Sequence, residues 1–133
     1  MENFKETKYL VLRILRENVL LVIYKDFVKR VDLEIAKEIW AARMEFQGGR
    51  RCFLIIQEPG AIEFTWDALV FLGSEQGVEG LIAIAMVISN FKSLATGAFL
   101  KDVQEPLVPT NIVDTQGEAL AWFESLNIEI PDL

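Results

Sequence analysis

The sequence predicts one α/β domain in which helices pack on a single mixed β-sheet, in the order β-β-α-β-α-β-α-β-α. The chain has 133 residues, of which 52% are apolar, and this is enough to build one hydrophobic core. Two unbroken apolar runs, at residues 52–56 and 81–88, have the length and composition of strands covered on both faces. In the later part of the chain such strands alternate with helical patterns, which favours parallel neighbours joined by right-handed crossovers.

The first predicted elements are a hairpin and a long helix. Residues 9–15 and 19–24 are rich in Val, Ile, Leu and Tyr, and the short polar stretch between them predicts an antiparallel turn. Asp32 is a predicted N-cap, and Gly48 and Gly49 are the predicted end of the helix that follows. The apolar residues of this helix recur at three-to-four spacing: Ile35, Ala36, Ile39, Trp40, Ala42, Met44 and Phe46.

A loop at residues 57–67, with the sequence QEPGAIEFTWD, connects the strand at 52–56 to a second helix. Thr65 is the predicted N-cap of this helix, and Asp67 lies where its charge stabilises the helix dipole. Gly77 is the predicted stop. The inward face is predicted to contain Ala68, Leu69 and Leu72.

The last part of the chain predicts a strand, a helix, a short strand and a final helix. The strand at 81–88 is followed by a helical pattern with Phe91, Leu94, Ala95, Ala98 and Phe99. Residues 111–114 predict the short strand. Thr115 and Glu118 form a capping box, which begins a final helix with Ala119, Leu120, Phe123 and Leu126 on its buried side.

The composition argues against several classes of partner. The chain carries 20 acidic and 13 basic residues, for a formal net charge of −7, which opposes binding to nucleic-acid backbones and anionic membranes. The longest apolar run is that at residues 81–88, whereas a membrane-spanning helix needs about 20 residues. Cys52 is the single cysteine, and the amino terminus is charged. We therefore expect a cytoplasmic protein that neither binds nucleic acid nor inserts into a membrane.

The sequence also lacks the usual residues of catalytic sites. It contains no histidine, which removes His-dependent triads and the commonest metal ligand, and it contains no phosphate-binding glycine motif. Glu58, Glu63 and Asp67 could act as an acid and a base only if burial separated their pKa values, and solvated loop carboxylates are the simpler interpretation. Cys52 begins an apolar strand without a CxxC partner, so we expect an inert core thiol. We predict no enzyme activity, no metal and no cofactor.

Four stretches carry a resemblance to a known family. They are the leading hairpin, DLEIAKEIWAARMEFQGGRRCFLIIQEPG, GSEQGVEGLIAIAMVISN and PTNIVDTQGEALAWFESL. Through them nearly the whole chain resembles the small bacterial SpoIIAA-like (STAS-like) proteins, which are related in fold to anti-anti-sigma factors and to lipid-transfer domains. The resemblance implies one SpoIIAA-like domain over residues 1–133, with residues 1–7 and 127–133 peripheral. It also implies a non-enzymatic regulatory or protein-interaction module that forms a homodimer and contacts an unidentified protein.

The loop at residues 57–67 is the predicted interaction surface. In anti-anti-sigma factors, a kinase partner phosphorylates a serine or threonine that follows a central strand, at the start of the next helix. Thr65 is the hydroxyl at the matching place, without the Asp-Ser pair of those proteins, so it is predicted to be either a phosphoacceptor or a plain helix cap. The other candidate residues of this interaction loop are Glu58, Gly60, Glu63, Phe64, Trp66 and Asp67.

An alternative hypothesis is an apolar ligand site. The lipid-transfer side of the resemblance, with aromatic residues around the second and third predicted helices, would allow a pocket there for a lipid or other apolar small molecule. The candidate residues for this pocket, or for an interface with a second copy, are Phe71, Phe91, Phe99 and Trp122. Aromatic residues at helical spacing also fit an ordinary core.

Overall fold

A computed structural model describes residues 3–88 and 106–128 of the chain. The strands are β1 (Phe4–Glu6), β2 (Leu10–Arg16), β3 (Val19–Tyr24), β4 (Arg30–Val31), β5 (Cys52–Gln57), β6 (Glu63–Phe64), β7 (Leu81–Val87) and β8 (Thr110–Val113). The helices are α1 (Leu33–Gln47), α2 (Trp66–Leu72) and α3 (Gln116–Ser125). The prediction of a mixed α/β domain is confirmed.

Six of these strands form one mixed sheet in the order β1-β2-β3-β5-β7-β8. β1, β2 and β3 are antiparallel neighbours, while β3, β5, β7 and β8 run parallel. The predicted hairpin consists of β2 and β3, and Asn18 in its turn has a φ of 65°. The two apolar runs form β5 and β7, and both lie between other strands of the sheet, as predicted.

Three short strands lie outside the predicted order. β1 pairs with β2 at one edge of the main sheet. β4 and β6 form a separate two-stranded parallel ribbon, in which Arg30 pairs with Glu63. The Thr65 N–H extends this ribbon with a 3.0 Å hydrogen bond to the Val31 carbonyl oxygen. Because β4 directly precedes α1 and β6 directly precedes α2, the ribbon brings the starts of the two helices together.

Helices cover both faces of the main sheet. Neighbouring residues of a strand point to opposite faces, so Leu54 of β5 packs in the core cluster under α1 and α2, while Ile55 packs in the cluster under α3. In the second cluster, the rings of Phe53 and Phe123 stack with centroids 4.7 Å apart. Burial of β5 on both faces explains why its sequence is a continuous apolar run rather than an alternating one.

Helices α1 and α3 begin at the predicted caps. The Asp32 Oδ1 atom accepts a 2.9 Å hydrogen bond from the Ile35 N–H at the start of α1, and Gly48 ends that helix with a φ of 66°. The Thr115 hydroxyl oxygen accepts a 3.1 Å hydrogen bond from the Glu118 N–H at the start of α3. Local capping chemistry therefore positions both helices, as the sequence predicts.

Helix α2 is shorter than predicted. It ends at Leu72 with Gly73 as its C-cap, so the predicted stop at Gly77 is wrong. Gly77 lies instead within residues 73–80, here called the turn segment, which leads from α2 to β7. A Cβ atom on Gly77 would overlap the carbonyl oxygens of Phe71 and Leu72. A close approach of two backbone stretches, rather than a helix end, requires this glycine.

Part of the predicted structure lies outside the described residues. This applies to the helix predicted around Phe91 and Phe99, and to residues 129–133 of the tail. In the two described stretches, no helix combines the length and apolar character that a membrane crossing needs.

Candidate functional site

A cavity of about 130 Å³ lies between α1, α2 and the main sheet. Apolar side chains from both helices and from five strands form most of its wall, and they include Val22, Leu54, Leu69, Leu72, Ile84 and Met86. Leu107 also lines the cavity and is 57% exposed, so the cavity reaches the surface beside this residue. Many apolar and few polar wall groups are typical of small-molecule sites.

Polar side chains are few in the wall and lie towards its two ends. Tyr24 ends β3, and Glu58 directly follows β5, the parallel neighbour of β3, so both lie at the carboxyl ends of these strands. Arg43 lies towards the opposite end, because it hydrogen-bonds to the turn segment that precedes β7. The carboxyl ends of parallel strands are where open α/β sheets usually hold ligands.

The Tyr24 side chain is buried against the cavity, with 5% of the residue exposed. Burial, with the nearby Glu58 carboxylate as the second cause, raises the pKa of Tyr24 well above its usual value. The phenol is therefore neutral at ordinary pH and can donate a hydrogen bond. Its ring meets that of Phe64 edge-on, with centroids 6.1 Å apart.

At the other end of the cavity, the buried Arg43 side chain connects α1 to the turn segment through hydrogen bonds. Its guanidinium donates to the carbonyl oxygens of Gly77 and Glu79, at 3.0 Å and 3.2 Å. It also donates a 2.5 Å hydrogen bond to Oε1 of Gln47, one helical turn away. Burial lowers the pKa of Arg43 to about 10, which reflects the cost of taking this charge out of water.

Gln47 and Trp40 complete the attachment of the turn segment. The Gln47 Nε2 group, in a side chain that is also buried, donates to the carbonyl oxygens of Arg50 and Gly80, at 2.7 Å and 2.8 Å. The Trp40 indole N–H donates a 2.7 Å hydrogen bond to the Gln76 carbonyl oxygen. These bonds give buried polar side chains their partners and hold one wall of the cavity in place.

The sequence interpretation missed Arg43 and Gln47 as buried residues. A signal was present, because the two follow Ala36 and Ile39 at three-to-four spacing on α1. All four side chains are buried. Polar residues that continue an apolar stripe are candidates for a buried polar cluster.

Thr65 is the N-cap of α2, as predicted. Its hydroxyl donates a 2.5 Å hydrogen bond to Oδ1 of Asp67 and accepts a long one, 3.4 Å, from the Ala68 N–H. Asp67 Oδ1 accepts from the same N–H at 2.9 Å, so the two side chains share the cap. A phosphate on Thr65 would place about two further negative charges beside Asp67, and the cap would have to rearrange to accommodate them.

The residues of the predicted interaction loop divide between the cavity and the surface. Glu58 and Phe64 line the cavity. The exposed members are Glu63, Trp66 and Asp67, and Trp66 is the most prominent at 65% exposure. Gly60 is half-buried, with open space where a Cβ atom would lie.

The candidate aromatic residues of the predicted pocket are not gathered at one place. Phe71 packs edge-on against Trp40, with ring centroids 5.9 Å apart, on the face covered by α1 and α2. Trp122 lies on α3 and packs with the cluster on the opposite face. Phe91 and Phe99 lie outside the described residues. Of the described aromatic residues, Tyr24, Trp40 and Phe64 line the cavity.

Cys52 lies at the start of β5 with 4% of the residue exposed. Burial raises the pKa of its thiol, although the charges of Arg50 and Arg43 oppose this effect. This is the environment of a core residue. The described part of the chain contains no group of three or more Cys, Asp or Glu side chains that could hold a metal ion.

Comparison with known proteins identifies a family. No curated protein and no solved structure matches the chain significantly. Residues 13–127 match the family described as a domain of unknown function (DUF7793). The matched stretch contains every element from β3 to α3, and it includes all the lining residues of the cavity named above. Because the match spans most of the chain, the protein belongs to the DUF7793 family.

Proposed function

We propose that this domain binds a small, mostly apolar molecule in the cavity between α1, α2 and the sheet. The observation that carries the proposal is the cavity, with a volume of about 130 Å³ and a mainly apolar wall. Protein interiors contain few voids larger than a water molecule. An engineered apolar cavity of roughly 150 Å³ in another protein binds benzene, so the space here is sufficient for a molecule of similar size.

The apolar wall supports the same proposal. A ligand that fills the space removes apolar wall surface from water and gains dispersion contacts with the wall atoms. Since such a ligand binds only the folded state, it raises the midpoint of thermal unfolding.

The proposal is tested by thermal unfolding with a panel of single-ring and short-chain apolar compounds. At least one compound is expected to raise the midpoint for the native protein. Leu72→Phe adds volume at a half-buried lining position and is expected to abolish this shift. Leu120→Phe makes the same change at a half-buried position on α3, on the other face of the sheet, and is expected to retain it. The cavity is excluded as the binding site if no compound raises the unfolding midpoint of the native protein. It is also excluded if a compound shifts the midpoints of Leu72→Phe and Leu120→Phe equally.

A second candidate function is protein contact, and the exposed face of α2 favours it. Trp66 and Val70 lie one turn apart on α2 and are 65% and 42% exposed. Exposed large apolar side chains at neighbouring positions are typical of interaction surfaces. With the resemblance to SpoIIAA-like proteins, this supports a non-enzymatic, cytoplasmic regulatory module that contacts another protein or a second copy of the chain.

Contact through α2 is tested with Trp66→Ser in two assays. One is a pull-down from cell lysate, and the other is sedimentation of the purified protein at high concentration. Loss of a captured protein, or of self-association, would support contact through this face. Thr65→Glu in the same pull-down examines the phosphoacceptor hypothesis, with Thr65→Ser as the control that keeps the hydroxyl. Identical behaviour of the native protein and Trp66→Ser in both assays would count against this function.

A further inference from the structure

Strand β1 is an edge strand of the main sheet, and its ladder with β2 fixes which of its backbone groups remain free. The Ile14 N–H donates a 2.9 Å hydrogen bond to the Asn3 carbonyl oxygen. Because hydrogen-bonded and non-hydrogen-bonded pairs alternate along an antiparallel ladder, Asn3 and Lys5 direct their backbone groups towards β2. Phe4 and Glu6 therefore direct theirs away from β2, and in the described part of the chain no residue bonds to these outward groups.

The side chains of β1 divide between the two faces of the sheet. Lys5 lies on the face of α1, where its Nζ atom is 3.4 Å from Oε1 of Glu45. Phe4 and Glu6 lie on the opposite face. Phe4 is 52% exposed, and the guanidinium carbon of Arg13, its neighbour in β2, is 5.9 Å from the centre of the Phe4 ring. Arg13 takes no part in the ion pairs of the described residues, so its charge is available to a carboxylate.

This free edge is complementary to a second copy of itself. An antiparallel copy, related by a two-fold axis at Lys5, places Phe4 opposite Glu6 of that copy, and the reverse. Each of these opposed pairs can exchange both backbone hydrogen bonds, because all the groups involved point outward. On the same face, Arg13 beside Phe4 comes within reach of the Glu6 carboxylate of the second copy. The two Lys5 side chains face each other, but each has the Glu45 carboxylate of its own copy.

We propose that two copies of this domain pair edge to edge through β1, with Lys5 on the two-fold axis, so that their two main sheets become one continuous sheet. The Glu6 carboxylate already lies 3.4 Å from Nζ of Lys25, and its side chain is 62% exposed, so it can accept a second cation. Because β1 has 3 residues, the contact buries little surface, which is typical of weak and transient association. This proposal concerns neither the cavity nor the exposed face of α2.

Sedimentation of the full-length protein at concentrations from about 0.01 to about 1 mM tests the proposal, and the native protein is expected to form dimers as concentration rises. Glu6→Pro removes an outward N–H without removing a bond to β2, and edge strands accept proline at such positions. It is expected to raise the dissociation constant at least about tenfold. Glu6→Ala is the control, because it keeps the N–H and loses only the carboxylate that faces Arg13. It is expected to raise the constant less than about fivefold.

A cysteine at the two-fold axis tests the register independently of proline. Opposed residues of a non-hydrogen-bonded antiparallel pair have Cα atoms about 4.5 Å apart, which is within disulfide range. Lys5→Cys is therefore expected to oxidise to a covalent dimer at least about tenfold faster than Lys37→Cys, which places the thiol at an exposed position of α1. Cys52 is buried in both variants and does not compete.

The proposal is overturned if the native protein stays monomeric over the whole concentration range. It is also overturned if Glu6→Pro dimerises as tightly as Glu6→Ala, or if Lys5→Cys and Lys37→Cys cross-link at the same rate. A dimer that is lost in Trp66→Ser and retained in Glu6→Pro would overturn it as well, and would place the contact on α2.

Discussion

The Arg43 guanidinium and the Gln47 amide, one turn apart on α1, form a 2.5 Å hydrogen bond between two buried side chains. Both side chains also donate to carbonyl oxygens of the turn segment, so they connect two stretches that are distant in the sequence. The carbonyl oxygens of Gly77 and Glu79 accept hydrogen bonds from Arg43. Burying such a charge is costly by itself, but removing it leaves several buried acceptors without hydrogen bonds.

We therefore expect Arg43→Met to lower the free energy of unfolding by about 3 kcal/mol, since the buried acceptors lose charged donors. Urea denaturation measures this change. Arg51→Met is the matched control, because Arg51 is exposed, and it should change stability by less than about 0.5 kcal/mol. Equal effects of the two substitutions would show that the buried hydrogen bonds of Arg43 contribute little.

Gly77→Ala should destabilise the domain by about 2 kcal/mol or more, because the added methyl group would overlap two carbonyl oxygens at the end of α2. Gly49→Ala is the control, since a Cβ atom there has no neighbour within 4 Å. That substitution should be neutral or slightly stabilising. Chemical denaturation of both variants gives the comparison, and a tolerated Gly77→Ala would mean that the turn segment can shift away from α2.

Much of this fold is predictable from local patterns. The β2–β3 hairpin follows from two β-rich runs around a polar turn, and the capping residues Asp32, Thr65 and Thr115 mark the starts of all three described helices. The β4–β6 ribbon is different, because strands of two residues are too short to show a periodic pattern. Their pairing depends on contacts between distant parts of the chain.

The candidate site is less predictable than the fold. The predicted interaction loop contains Glu58 and Phe64, which line the cavity, although the sequence predicts them as surface residues. The sequence does not predict Tyr24 and Arg43 as site residues, because their burial depends on elements elsewhere in the chain. A cavity arises where side chains from separate elements fail to fill a space, and single-sequence periodicity carries no information on that volume.

Because Thr65 and Asp67 share the cap of α2, we expect substitution of Thr65 to have a modest effect on stability. Thr65→Ala removes the hydroxyl, but Asp67 still accepts from the Ala68 N–H, so we expect a loss of about 1 kcal/mol or less in the free energy of unfolding. Thr65→Ser keeps the hydroxyl and should restore most of the loss. Urea denaturation of the two variants and of the native protein measures these changes in the free energy of unfolding. A loss of several kcal/mol in Thr65→Ala would indicate a role larger than capping.

Cys52 should react slowly with a thiol reagent in the native protein, because it is 4% exposed and burial raises the pKa of its thiol. We expect labelling at least about tenfold slower than in the urea-unfolded chain, where the thiol is accessible. The rate is followed by mass spectrometry. Native labelling as fast as that of the unfolded chain would place Cys52 in an accessible environment.

The buried phenol of Tyr24 predicts a specific loss of stability at alkaline pH. In the unfolded chain this hydroxyl ionises near its ordinary pKa of 10.0, whereas burial and then Glu58 raise the pKa of Tyr24 in the folded domain. Its contribution is therefore fully present below about pH 10 and declines as pH rises, by up to about 1.4 kcal/mol per pH unit, because only the unfolded chain releases the proton. Tyr24→Phe lacks this group. We expect its free energy of unfolding to fall about 1.4 kcal/mol less than that of the native protein between about pH 8 and about pH 11. Parallel pH profiles of the two proteins, measured by urea denaturation, would mean that Tyr24 ionises as readily in the folded domain as in the unfolded chain.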